Sequence, residues 1–350
     1  IVSGGSVLSN QGPSADTARL RWPFRALVTV FTGVFLCCAG ALLLYLHQSV
    51  RTPSDAPRQF LVVEPGTGLY EFAGLLVKQE FAREEWPVVA WAILSGTASS
   101  LKSGEYQIEP HESPARILGK VSRGDIYQHK ITFLEGWSYQ DLTGKLRQQT
   151  KLSQQLASLT PGQFRENLSL TAHSPEGLFF PDTYFFVMGE SDLDLLNRAA
   201  RKMERNLKEV WALRASDITL DTSYQALILA SIIQKEAMRS SEMPRISAVF
   251  HNRLKRKMRL QADPTVIYGL GDSLKGPLKR SHLKQDTPYN TYTRAGLTPG
   301  PISMPGRAAL EAAVRPLTTK ELYFVAKGDG THQFSNSLKE HNAAVRQFRN

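Results

Sequence analysis

Between Ala26 and Leu46 the chain runs for 21 residues without a charged side chain, ALVTVFTGVFLCCAGALLLYL. An α-helix needs about 20 apolar residues to cross the hydrocarbon core of a bilayer, so this run has the length of one span. A cleaved secretory signal has a shorter apolar region, about 7–15 residues, that ends in a small-x-small site. The one pattern of that kind, Ala39-Gly40-Ala41, is followed by more apolar and aromatic residues, and a retained anchor is expected. Arg19, Arg21 and Arg25 precede the run, whereas Arg51 and Arg58 beyond it are partly offset by Asp55. The positive-inside bias therefore predicts a single-pass membrane protein with its N-terminus in the cytoplasm and everything after Leu46 outside it. Both cysteines, Cys37 and Cys38, lie inside the run behind Leu36, so they read as span residues, and no disulfide framework is available elsewhere.

The rest divides by composition. Residues 1–25 form a polar tail expected to be disordered and cytoplasmic, 26–46 the membrane helix, and 47–58, with Pro53 and Pro57, an extended linker. Residues 59–133 alternate short strands and helices, with a β-branched run at Gln59 to Val63, helical patterns after Leu69 and Pro87, and a strand closing at Phe133. A larger mixed region follows at 134–350, and the fold class is α+β throughout. The formal net charge of +10 calls for an anionic neighbour. Much of it gathers at Arg253, Lys255, Arg256, Lys257 and Arg259, which read as a solvated helix end. An extracytoplasmic location and the lack of interleaved aromatics argue against nucleic acid.

The chemistry concentrates in Thr222 to Gly269. Thr222 stands three residues before Gln225, the spacing of a capping box, and Tyr224 to Ile233 is apolar on nearly every face, so a buried helix is predicted. Glu236 lies three, four and seven residues after Ile233, Ile232 and Leu229 and projects from that stripe. A carboxyl held against hydrocarbon resists ionising and can donate a proton near neutral pH. The plainer reading is a solvated or paired glutamate at a helix end. Asp263, just before Pro264, has the position of an N-cap, which by itself accounts for it. Five of the eight residues from Phe179 to Phe186 are aromatic, which suits a core and, as an alternative, a sugar-stacking wall flanked by Glu176 and Asp182. Tyr289-Asn290-Thr291-Tyr292 offers two rings around a carboxamide, and Gly296 to Gly306 (GLTPGPISMPG) a stiff wall with exposed backbone.

Several chemistries are excluded. The chain has no GxSxG elbow, HExxH, P-loop or GxGxxG that opens a helix. His332 and His341 stand nine apart, which is no local metal spacing, so neither metal nor cofactor is expected.

The stretches EGLFFPDTYFF (176–186), LASIIQKEA (229–237), VFHNRL (249–254), RLQADPTVIYG (259–269), YNTY (289–292), GLTPGPI (296–302) and LYFVAKGDGTHQFSNSLKEHN (322–342) together resemble the endolytic murein transglycosylases of the MltG (YceG-like) family. The order of elements in 59–133, with Gly104, Tyr106 and Pro110, resembles that family's LysM-like module. The resemblance implies cleavage of MurNAc–GlcNAc bonds inside peptidoglycan glycan strands to give 1,6-anhydro ends, terminating nascent strands beside peptidoglycan synthases. It implies Glu236 as the catalytic acid, with Gln261, Asp263, Thr265, Tyr289, Asn290, Tyr292 and Glu176 binding glycan. Where some relatives read EKE, this chain has Gln234-Lys235-Glu236, so the first position cannot be the acid. The competing class is a membrane-tethered glycan-binding scaffold without turnover. The topology is checked by a reporter fused after Asn350: a periplasm-active reporter is expected to be active and a cytoplasm-active one silent, the reverse refuting the orientation.

Overall fold

The computed structural model describes residues 1, 21–47, 59–168 and 174–348. Nearly all of the expected N-terminal tail and the 48–58 part of the linker lie outside the described residues. Two compact units follow the chain, Ile1–Tyr127 and Gln128–Asn350.

The first unit begins with α1 (Arg21–His47), whose Phe24–His47 stretch is long and apolar enough to cross a membrane. Most of it is exposed, Cys37 and Cys38 included, but Leu46 is completely buried. Beyond it, β1 (Gln59–Val63) pairs antiparallel with β2 (Gly104–Ile108) in the register Gln59↔Ile108 to Val63↔Gly104. Between the strands run α2 (Leu69–Lys78) and α3 (Glu85–Leu94), and α4 (Pro114–Arg123) follows β2. The strands alternate as half-buried ribbons do, sending Leu61, Val63, Tyr106 and Ile108 into a core with Phe72, Leu76, Ile117, Leu118 and Val121. Tyr106 is a core residue whose hydroxyl donates to the Lys102 carbonyl at 2.8 Å.

In the second unit β3 (His129–Thr132) pairs antiparallel with β4 (Thr183–Phe186). The sequence pattern assigns this first strand to the module ending at Phe133; its only partner, β4, belongs to the second unit. The aromatic run around β4 is core: Phe179, Phe180, Tyr184 and Phe186 are buried and Phe185 alone is half-exposed. Helices α5 (Tyr139–Arg147), α6 (Pro161–Asn167) and α7 (Asp192–Ala212) surround this ribbon in sequence.

Next comes α8 (Ser223–Glu236), the axis of the unit. Its N-cap Thr222 accepts from Gln225 N, while Gln225 Oε1 accepts from Asp221 N, so the return bond falls one residue earlier than a capping box places it. Every residue from Ala226 to Ile233 is buried. Packed on it are α7, α9 (Met243–Lys255), α10 (Asp263–Leu270) and α11 (Arg307–Val314). Each Leu or Ile so buried contributes about 1.5–3 kcal/mol, which explains why α8 tolerates no polar face. The exception, Ser231, accepts from Ile302 N at 3.0 Å and donates to Ile228 O at 2.7 Å.

That contact corrects the expected role of Gly296 to Gly306. Pro301 through Gly306 are buried along α8, and their backbone groups are spent: Met304 exchanges bonds with Gly136 and Trp137, and Gly306 N donates to Gln234 Oε1. A buried N–H must find a partner, so this segment is a wedge inside the unit and not an exposed wall. The chain closes with the hairpin of β5 (Tyr323–Ala326) and β6 (His332–Ser335), then α12 (Leu338–Phe348).

The wedge needs one glycine opposite it. Gly177 has φ +76°, and a Cβ there sits 2.5 Å from Pro301 Cβ. Gly177→Ala is expected to lower stability by at least ~1 kcal/mol from backbone strain alone, read as a lower urea midpoint; an unchanged midpoint contradicts the packing.

Candidate active site

Glu236 is the last residue of α8, because Ala237 turns to extended backbone and carries only the closing bond to Ile233 O. Its half-buried side chain opens into a cleft of about 340 Å³, a volume usual for small-ligand sites. Arg253, Leu260, Gln261, Asp263, Tyr292, Tyr323, His341 and Asn342 share the lining. The surroundings therefore differ from the hydrocarbon pocket that the helical stripe alone predicts: the stripe ends where the helix ends.

Three elements position the polar lining. Arg253, on α9, is buried, and its guanidinium donates to Leu322 O (2.6 Å), Leu260 O (2.9 Å), Arg259 O and Gln261 Oε1 (both 3.2 Å). It also lies 5.0 Å over the Tyr323 ring. Burial pushes this guanidinium below its ordinary value, while the negative ends of Tyr323, Tyr292 and Glu236 push it back up. Gln261 takes a left-handed backbone, φ +50°, which costs a non-glycine residue of order 1–3 kcal/mol and is held by Gln261 N donating to Thr291 O. Asp263 begins α10, but its carboxylate caps nothing; Ala262 is the N-cap and Asp263 Oδ1 accepts from Tyr292 Oη at 2.5 Å. The capping reading of Asp263 is thereby replaced by one in which two carboxylates, Glu236 and Asp263, share a cleft with a buried cation.

The remaining expected positions separate. Thr265 is wholly buried, its hydroxyl donating to Ala262 O at 2.7 Å and 2.8 Å from Thr291 Oγ1. Asn290 is equally buried: its Nδ2 donates to Leu283 O and Gln285 O, and its Oδ1 accepts from Tyr292 N. With their polar atoms spent on backbone and a neighbouring hydroxyl, these two shape the loop that carries Tyr292 instead of facing a ligand. Tyr289 turns away from its neighbour and packs on Tyr268, ring centroids 4.8 Å apart.

A model of the "YceG-like family" matches residues 61–347. The chain belongs to the YceG-like family. A Bacillus subtilis relative named endolytic murein transglycosylase is 31% identical over 82% of this chain and 83% of its own. One of the same name from Streptococcus pneumoniae is 27% identical over 72% of this chain and 51% of its own. A YceG-like protein of Listeria monocytogenes, known from a 2.6 Å crystal structure, matches with TM-score 0.54 at 26% identity, over 82% of this chain and 98% of that one.

Two groups of this YceG-like chain escape the sequence reading. Arg253 looks like one more charge of a solvated basic end, yet Ile246, Val249, Phe250 and Arg253 share the 0, 3, 4, 7 spacing of the buried face of α9. Lys255, by contrast, is exposed and pairs loosely with Asp217. His341 comes from α12 and stacks on Tyr323 with centroids 5.1 Å apart; only the hairpin before α12 returns it to the cleft, and no local pattern signals that.

Glu176 is a third case. It is buried and accepts from Tyr139 N at 3.1 Å, at the first turn of α5, and from Tyr268 Oη at 3.3 Å, on α10. It does not line the Glu236 cleft. It ties the helix that starts at Asp263 to the first turn of α5. Burial pushes its carboxyl up from 4.5 to about 7, against the opposing bonds from Tyr139, Tyr268 and Gly177. The folded state thus holds this proton more tightly than the unfolded one, and the contribution to stability, full below about pH 4.5, is lost as pH rises through about 7. Wild type is expected to lose up to about 3 kcal/mol across that window relative to Glu176→Gln. Urea midpoints of both proteins at about pH 4.5 and about pH 8 check it; parallel pH profiles contradict it.

Proposed function

We propose that this chain is a membrane-anchored lytic transglycosylase that cleaves MurNAc–GlcNAc bonds within peptidoglycan strands and leaves 1,6-anhydro-MurNAc ends. The observation that carries the reading is the convergence of Glu236, Arg253, Gln261, Asp263 and Tyr292 on one cleft in a chain whose relatives bear the name endolytic murein transglycosylase. Glu236 protonates the leaving glycosidic oxygen as the bond to C1 breaks. As a carboxylate it then takes the proton of the MurNAc C6 hydroxyl, whose oxygen closes on C1. The nucleophile belongs to the substrate, so proximity does the work that a positioned water does in a hydrolase. Arg253, Gln261, Asp263 and Tyr292 bind the sugars and orient the acid.

In this reading α1 anchors the enzyme with its N-terminus in the cytoplasm and both units outside it. The β1-α2-α3-β2 order supports a LysM-like glycan-binding module in residues 59–133, with catalysis in 134–350. Cleavage of nascent strands beside peptidoglycan synthases then sets strand length.

Asp263 favours one alternative chemistry. Two-carboxylate glycosidases use a second acid to attack or to activate water, and their products carry reducing ends. Mass spectrometry of sacculi digested by wild type, Glu236→Gln and Asp263→Asn separates the readings. Fragments one water lighter, lost by at least about a hundredfold in Glu236→Gln, are the expected result. Reducing ends that need both carboxylates point to hydrolysis, and an intact sacculus with bound protein points to a scaffold.

A further inference from the structure

The first unit carries an apolar face that the proposed glycan chemistry does not use. On α3 the residues from Trp86 to Leu94 include no charged side chain. Val88, Val89 and Ala92 fill the core. Trp86 (65% exposed), Ile93 (60%) and Leu94 (73%) do not, and with half-buried Ala90 they fall at the 0, 4, 7, 8 spacing of one helix face. An exposed stripe of large apolar side chains on a small soluble module is a contact surface in search of a partner.

The structure ties α3 itself to the end of α1. Leu46 is buried in the unit's core, and Leu42 and Tyr45 pack beside it. Tyr45 Oη accepts from both Arg83 N (2.9 Å) and Glu84 N (2.8 Å), the backbone donors at the entry to α3. The His47 ring meets Trp91 edge-on, centroids 6.1 Å apart. The last turn of the apolar helix is thus hydrogen-bonded to the N-cap of α3 and the residue before it. Counting about 20 residues for the hydrocarbon core from Phe24 ends the core one turn before His47. Tyr45, His47, Trp86 and Trp91 then fall at headgroup level, the depth that aromatic side chains with a polar handle prefer.

We propose that α3 is an interfacial helix: its Trp86–Ala90–Ile93–Leu94 face lies in the headgroup–acyl boundary, and the unit rests on the membrane instead of swinging from its linker. The occupant is lipid, because the helix that bears the stripe is joined at its entry and at Trp91 to the last turn of the span. The charges at its N-terminal end are mixed (Arg83, Glu84 and Glu85), so apolar burial drives the contact and anionic headgroups add little. The consequence is a fixed height of the unit above the bilayer, which restricts it to glycan close to the membrane.

This inference rests on α1 spanning a bilayer, and the test separates the two. The full chain, with Cys37→Ser and Cys38→Ser, is reconstituted in vesicles of phosphatidylethanolamine and phosphatidylglycerol. A single nitroxide is attached at Leu94→Cys, at Leu36→Cys within the span, or at exposed Glu204→Cys in the second unit. Collision rates with oxygen, which partitions into lipid, and with a water-soluble nickel chelate are compared. The ratio at position 94 is expected to exceed that at 204 by roughly threefold or more, with position 36 also lipid-like. A water-like ratio at 94 with a lipid-like ratio at 36 overturns the interfacial helix and leaves the span intact. Water-like ratios at both remove the span and the proposal with it. Protection of 94 from both reagents means that protein covers the stripe, and the proposal falls.

Discussion

An arginine cannot shed its charge when it is buried, so it must be met by acceptors that the fold holds still. Arg253 is met by the carbonyls of Leu322, Arg259 and Leu260 and by the Gln261 side chain. Those groups come from α9's own trailing loop and from the approach to β5, and binding them to one guanidinium closes the cleft around Glu236. The uncommon backbone of Gln261 and the turn of Asp263 toward Tyr292 follow from the same demand, since the loop between α9 and α10 has to bring two carbonyls and a carboxamide back to one point. The desolvation cost of the cation is offset by four hydrogen bonds and the Tyr323 ring, and it yields a charged, rigid wall opposite the carboxylate.

The second organising contact is the buried wedge of Pro301 to Gly306 along α8. A helix as apolar as α8 requires cover on all sides, and an extended, proline-rich segment offers that cover only if its amides are paired. Ser231 and Gln234 are the only polar side chains on the part of α8 that meets the wedge, and each is spent on one of its amides. Glu236, two residues beyond Gln234, is what remains when the cover stops. Glu236 thus stands where the packing of α8 runs out.

Glu176 is a buried carboxylate that lies outside the lining of the Glu236 cleft. It links the start of α5 to α10, whose first residue is Asp263. A raised affinity for its proton is the cost of placing it in the interior, and it couples the stability of the unit to pH.

The strand at Gln59 to Val63, the buried helix α8 and the apolar run of α1 were legible in the chain, because each rests on a period of 2 or 3.6 or on length alone. Glu236 was legible for the same reason, as a carboxylate on an apolar stripe. What the order of residues did not contain was the partner of β3, the burial of the proline-rich wedge, or the division of Tyr289, Asn290 and Tyr292 between core and cleft. Local pattern says which face of an element is apolar; it does not say which polar atoms will be left over once distant segments have taken their bonds. Arg253 and His341 join Asp263 at the Glu236 cleft only once α9, α10 and α12 meet, with Arg253 donating to Leu322 O and His341 stacking on Tyr323.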